Sequence, residues 1–183
     1  EEHLKGNLDA ILSNTSGCGT TMKDYGFIFK DDEKMKKKAK VVSDLTKDVS
    51  EYLNENLKLN FKSKEKKYKI AYHSACSMQH GQKVHNQPME LLTKTSNEIM
   101  EIPEGHICCG SAGTYNILQT EIAKELLSKK VKNIESLKPD FISTGNIGCI
   151  TQIANGTKTP ILHTIEILDW YTGGPKPKIL QKN

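Results

Sequence analysis

Cysteine is the residue type best able to do chemistry in this chain, and its five copies fall at Cys18, Cys76, the adjacent pair Cys108–Cys109, and Cys149. Between Cys76 and Cys108 lie 31 residues, and between Cys109 and Cys149 lie 39. Four thiolates suit a cubane iron–sulfur cluster or a tetrahedral zinc ion. Adjacent residues of a strand point to opposite faces, so Cys108 and Cys109 can serve one ligand only from a turn. Gly110 gives the chain the freedom to make that turn. Gly113 and Gly148 would let backbone N–H groups approach sulfur, which tunes a reduction potential. Spacing alone leaves two alternatives open: four apolar cysteines buried in a core, and a vicinal disulfide at Cys108–Cys109.

The histidines say less. His73 and His106 stand two or three residues from cysteine turns, where either could hydrogen-bond to a cluster or replace a ligand. The competing reading of each is a surface histidine with a satisfied ring. His80, His85 and His163 have weaker claims. No Gly-x-Ser-x-Gly, Walker A or Gly-x-Gly-x-x-Gly pattern occurs, so hydrolase, nucleotide-dependent and Rossmann dinucleotide readings lose support.

Composition sets the setting for these thiols. The 183 residues are 36% apolar and 26% charged, a globular balance. No apolar run reaches the roughly 18 to 20 residues that span a bilayer, and no signal peptide is visible. An odd cysteine count in such a chain reads as cytosolic and reduced, which favours metal or redox chemistry over disulfides. Net charge is +4, and much of the excess lies in "KLNFKSKEKKYK" after Leu57. That stretch reads as a solvated linker. Phe61 and Tyr68 are its only aromatics, and no nucleic-acid motif accompanies it, so no nucleic-acid partner is expected.

The elements that must carry the cysteines follow from periodicity. "LDAILS", "YKIAYH" (68–73), "EIMEI" (98–102), "PDFIST" and "TPILH" read as strands. Met35, Ala39, Val42, Leu45, Val49, Tyr52 and Leu53 recur at helical spacing and predict one amphipathic helix over 35–53. Helices are also expected over 88–94, about 119–136 and 164–171, the second with Ile122, Leu126, Val131 and Ile134 inward. A short helix should follow "GNIGC". Alternating strands and helices predict an α/β fold with a mostly parallel sheet flanked by helices. All five cysteines then fall on turns after strands or just before helices. Such turns gather along the carboxyl edge of a parallel sheet. A helix start also lowers thiol pKa.

The chain repeats itself. In "DAILSNTSGCGTTMKDYG" from Asp9 and "DFISTGNIGCITQIANG" from Asp140, an aspartate opens an apolar strand and a cysteine follows nine positions later. A glycine precedes each cysteine, and another follows it by seven or eight positions. Two copies of one unit are expected. The first lacks the upstream cysteines of the second. Residues 1–57 therefore read as the carboxyl-terminal part of a first module, 58–69 as a lysine-rich linker, and 70–183 as a complete second module.

"AYHSACSMQHGQK", "CCGSAGTYN", "TGNIGC" and "HTIEILDWYTGG" together resemble the iron–sulfur subunits of bacterial glycolate oxidase. More distantly they resemble the cysteine-rich subunit of heterodisulfide reductase and the lactate-utilisation proteins, which share the CCG module. The resemblance runs from about Asp9 to Pro175, and "SGCGTTMKDYG" is similar to the end of the family's first module. It implies tandem CCG modules, the first incomplete, and an electron-transfer subunit of an oxidoreductase without a glycolate site of its own. Flavin-binding partner subunits would oxidise glycolate to glyoxylate and pass electrons through this chain toward a quinone-type or membrane-associated acceptor. The implied location is the cytoplasm, peripheral at the inner face of its membrane. Carried over by position, Cys76, Cys108, Cys109 and Cys149 are the second module's ligands, and Cys18 is the last ligand of the first. The implied cofactor is a 4Fe–4S cluster, with zinc as the alternative. The second reading of function is accordingly a zinc-binding or metal-free scaffold that docks the flavin subunits. Two features depart from the pattern. The family's amino-terminal ferredoxin-like region is missing, and Gln152 stands where heterodisulfide reductase modules place a further cysteine.

Overall fold

Short apolar runs bounded by turn residues become two parallel sheets in the computed structural model, which describes residues 2–6, 8–62, 64 and 66–181. The small sheet pairs β1 (Ile11–Ser13) with β2 (Thr46–Asp48). The larger has the order β4-β3-β5-β6, from β3 (Lys69–Tyr72), β4 (Glu98–Glu101), β5 (Phe141–Thr144) and β6 (Ile161–His163). The helices are α1 (Glu2–Lys5), α2 (Ser16–Lys23), α3 (Tyr25–Ile28), α4 (Lys36–Leu45), α5 (Val49–Asn56), α6 (Gln87–Thr93), α7 (Tyr115–Leu118), α8 (Thr120–Ser136), α9 (Ile147–Ala154) and α10 (Thr164–Thr172). A π-helical turn spans Ser77–Gln82. The architecture is α/β, with parallel sheets flanked by helices.

Strand alternation divides the core in two. Ile70, Tyr72 and Phe141 pack with Leu91, Leu92, Ile167, Leu168, Trp170 and Tyr171 of α6 and α10. Ala71 and Ile142, one position along, face the other way and pack with Ile134 of α8, Ile153 of α9, and both Cys109 and Cys149. A parallel sheet buried on both faces needs such continuous apolar runs, and every residue of β5 is buried.

Three expectations are corrected. The helix expected over 35–53 is two helices with β2 between them. Asp48 accepts from Ser50 N at 2.9 Å, and Asp48 N donates to Glu51 Oε2 at 3.1 Å, a reciprocal cap that starts α5 afresh. The residues before it are drawn into a ladder with β1, Ile11↔Thr46 through Ser13↔Asp48. In α8 one member of the expected inward stripe fails: Ile122 is 48% exposed and Ala123 beside it is buried, while Ile134 is buried as expected, Leu126 and Val131 are half-buried, and Lys130 joins the buried face. The lysine-rich stretch is docked and not freely solvated. Leu59 and Phe61 pack against the α10 side of the core, and Lys62 N donates to Tyr171 O at 2.7 Å. Lys64 Nζ lies 5.6 Å from the Trp170 ring centre. Apolar side chains at alternate positions let this strand of chain lie down while Lys58, Lys62, Lys66 and Lys67 stay exposed.

The internal similarity extends into geometry. A shift of 131 residues carries β1 one-for-one onto residues 142–144 of β5, and α2 onto α9. Both strands pair in parallel with a strand whose last residue caps a helix: Asp48 opposite Ser13, His163 opposite Thr144. Both caps are reciprocal boxes, closed by Glu51 and Glu166. The two halves are joined at these strand ends. Ser16 N donates to Gly145 O at 3.2 Å, Asn146 Nδ2 to Ser16 Oγ at 2.8 Å, and Gln82 Nε2 to Ser16 O at 2.8 Å.

Candidate metal centre

The carboxyl ends of β3 and β5 lie side by side, and each loop that leaves them delivers a thiol. His73 continues the β3–β5 ladder, its N–H donating to Ser143 O at 2.8 Å. Three residues later Cys76 stands at the start of the π-helical turn. Beyond β5, Asn146 caps α9 by accepting from Cys149 N at 3.0 Å, which fixes Cys149 in the first helical turn. Cys18 occupies the matching place in α2, so these two cysteines sit within helix starts and not in the turns before them.

The pair Cys108–Cys109 arrives on the loop between β4 and α7. Gly110 has φ +92°, a conformation that side chains oppose, and a Cβ there would stand 2.5 Å from Ala123 O of α8. The glycine after the two cysteines is therefore required by backbone shape and by space. Its N–H donates to Cys108 Sγ at 3.3 Å.

Cys76, Cys108, Cys109 and Cys149 line one cavity of about 300 Å³, together with Gly17, Ser77, Ser111, Asn146 and Gly148. The structure thus brings together four of the five cysteines. Cys18 is exposed and does not line this cavity, although its neighbour Gly17 does. The thiols are free, and no vicinal disulfide is formed.

The four thiols share protons. Cys108 is pushed down to about 2 by hydrogen bonds from Cys109 and then Cys76, with the Gly110 N–H adding to them. Cys149 is pushed down to about 5, first by a hydrogen bond from Cys109 and against the cost of its burial. Cys76 is raised by its hydrogen bond to Cys108, by burial and by neighbouring thiolates. Cys109 is raised by its bonds to Cys108 and Cys149. Two thiolates accept and two thiols donate, so the set titrates as a unit.

Two further groups face this set. His73 is 1% exposed, and neither ring nitrogen makes a well-aligned hydrogen bond, although the ring helps hold the Cys149 thiol down. One ring nitrogen and the Cys109 and Cys149 sulfurs all lie within 4.8 Å of one another. The expected alternative of a satisfied surface histidine does not hold for His73. His106, His80 and His85 are exposed; His163 is engaged elsewhere, with Nε2 2.7 Å from Asn14 O. Lys130 is the residue that sequence reasoning missed. It is 1% exposed, and its ammonium donates to the carbonyls of Glu104 at 3.4 Å and Gly105 at 3.3 Å. Burial lowers its pKa, while the negative charge of the cysteine set opposes that by favouring its charge.

Chemically, the arrangement offers soft thiolate donors from separate loops, a buried cation beside them, and a buried imidazole that faces two of the sulfurs. Thiolates select zinc, copper(I) or iron–sulfur groups over hard cations. A buried ring nitrogen without a well-aligned hydrogen bond costs free energy that a metal bound there would partly offset. The residues present fit such a group.

Residues 70–154 match the family model described as "CCG: Cysteine-rich domain". The chain is 37% identical over 168 residues to the glycolate oxidase iron–sulfur subunit of Escherichia coli (strain K12), an alignment that covers 91% of this chain and 40% of that protein. It is 29% identical to the probable glycolate oxidase iron–sulfur subunit of Bacillus subtilis (strain 168), over 82% of this chain and 34% of the relative. With lactate utilization protein A of Geobacillus sp. (strain WCH70) it shares 25% identity over 88% of this chain and 70% of the relative. The chain thus spans 40% of the length of the Escherichia coli relative. Among the described residues, no helix is long and apolar enough to cross a membrane.

Proposed function

The chain being a homologue of the glycolate oxidase iron–sulfur subunit, with a CCG cysteine-rich domain at residues 70–154, we propose that it is the electron-carrying carboxyl-terminal portion of a glycolate-oxidising complex. On this reading Cys76, Cys108, Cys109 and Cys149 hold an iron–sulfur cluster of the 4Fe–4S type, which supplies a one-electron store. Flavin-binding subunits oxidise glycolate to glyoxylate and donate the electrons; a quinone-type acceptor at the inner face of the cytoplasmic membrane receives them. Residues 1–57 are then the end of a first CCG module, with Cys18 as its last ligand, and 70–183 are a complete second module.

The observation that carries this reading is the convergence of four sulfurs, from three separate stretches of the sequence, on one cavity at a sheet's carboxyl edge. The chain's own residues have distinct tasks there. Gly110 turns the backbone so that two adjacent cysteines serve one cavity, and its N–H stabilises the Cys108 thiolate. Asn146 holds the helix start that presents Cys149. Lys130 offsets the negative charge of the thiolates from inside the core. A cage set on strand ends and helix starts is rigid, which suits electron transfer because it needs little rearrangement.

One observation favours the second reading, a zinc-holding scaffold that docks the flavin subunits. Zinc–ligand bonds of about 2.0–2.3 Å set tetrahedral donors about 3.5–4 Å apart, and the His73, Cys109 and Cys149 donor atoms already lie within 4.8 Å of one another. Anaerobic purification separates the two. Brown protein bleached by dithionite, with an EPR signal on reduction, supports electron transfer. Colourless protein with one zinc and no iron refutes it.

A further inference from the structure

We propose that His73 is a direct ligand of the group held at the thiol cavity, bound through a ring nitrogen beside Cys109 and Cys149. The inference rests on the reading that this cavity holds a metal centre, and it adds a nitrogen donor to a set of four sulfurs.

The position of His73 is fixed independently of any ligand. Its N–H donates to Ser143 O at 2.8 Å and so extends the β3–β5 ladder by one step. Strand alternation then directs its side chain to the face that Ala71 shares with Cys109 and Cys149. The ring is 1% exposed and neither nitrogen makes a well-aligned hydrogen bond among the described residues; the ring faces the Cys109 and Cys149 sulfurs, and it helps hold the Cys149 thiol down. A buried polar group left unpaired costs about 1–3 kcal/mol, and such groups are rare in native proteins. A metal bound at one nitrogen lone pair would remove that atom's share of the cost. The donors that surround that nitrogen are sulfurs, with the Cys109 and Cys149 Sγ atoms and the ring nitrogen mutually within 4.8 Å. The ring thus stands behind Cys109 and Cys149, two of the cysteines that line the cavity, and imidazole joins thiolate readily in zinc and iron sites. His106, the other histidine beside a cysteine turn, is exposed and has no such relation to the sulfurs.

The test uses the full-length protein, purified anaerobically after growth with ¹⁵N-histidine. If the centre is iron–sulfur, pulsed EPR of its reduced form should show a directly coordinated nitrogen that changes from ¹⁴N to ¹⁵N with the label. If it is zinc, X-ray absorption should show one nitrogen near 2.0–2.1 Å with sulfurs near 2.3 Å. In either case the nitrogen signal should vanish in His73→Cys, which offers sulfur in place of nitrogen, and survive in His106→Ala. A nitrogen signal that persists in His73→Cys overturns the proposal, as does a wild-type centre with sulfur ligation alone. The wild-type measurement stands even if a His73 variant fails to fold. Wild-type protein with neither iron nor zinc overturns the metal-centre reading, and this inference with it.

Discussion

Replacing Gly110 by alanine should damage the protein far more than the same change at Gly113, although the two lie three positions apart and both have positive φ. At Gly110 the backbone is at φ +92° and a Cβ would meet Ala123 O at 2.5 Å; at Gly113 φ is +66° and nothing lies within 4 Å. Holding alanine at φ +92° costs about 1–3 kcal/mol. Forcing a methyl against the α8 backbone adds about 1–3 kcal/mol, because the obstacle is main chain and cannot swing away. The sum is about 4 kcal/mol. At this chain length each kcal/mol moves Tm by about 2–4 °C, so Gly110→Ala should lower Tm by about 8–16 °C. Gly113→Ala bears only the cost of a left-handed alanine, about 1 kcal/mol, or about 2–4 °C. The assay is scanning calorimetry of both variants with the metal removed, so that ligand binding adds nothing to the comparison. Equal, small decreases would refute the argument that α8 and the paired-cysteine loop are in contact across Gly110.

Other consequences can be checked separately. Asp48→Ala removes the acceptor that starts α5 and should cost about 1–2 kcal/mol in denaturant unfolding, while Asp48→Asn keeps the acceptor and should recover most of it. In metal-free protein at neutral pH, Cys76 and Cys109 keep their protons because their pKa values are raised, whereas Cys108 and Cys149 have lost theirs. Metal uptake must expel the two remaining protons, so apparent affinity in a chelator competition should rise with pH, by up to about a hundredfold per unit; a flat profile contradicts the proton-sharing account. Lys130→Met removes a buried positive charge beside the thiolates and should lower the reduction potential of a bound cluster, on the order of 60 mV for each factor of ten lost in the reduction equilibrium. Lys129→Met, which removes an exposed partner of Glu104, should leave the potential unchanged.

The strands were legible because each is a short apolar run closed by turn residues, and β3, β4 and β5 begin or end within a residue or two of their expected places. The cysteines' common edge followed from that, since parallel strands send all their exits one way. The break in the expected 35–53 helix was hidden by apolar spacing that continued unchanged across it. Asp48 and Glu51, spaced as a capping box, were the available signal. Lys130 was not legible, because the carbonyls that accept from it lie at 104 and 105, and no helical period connects them to α8. The burial of His73 was likewise a tertiary fact: its position in the sequence is a strand end, and only the packing of α8 and α9 over that face closed it from water. In the lysine-rich stretch, charge count outweighed Leu59 and Phe61, the two residues that dock it.

The measurement that bears most directly on the thiol cavity is iron and zinc stoichiometry in anaerobically purified protein and in five single Cys→Ser variants. The account predicts that serine at 76, 108, 109 or 149 depletes or destabilises the same centre, while Cys18→Ser leaves it intact. Full metal content after loss of Cys76 or Cys149, the two thiols delivered by separate strands, would contradict it.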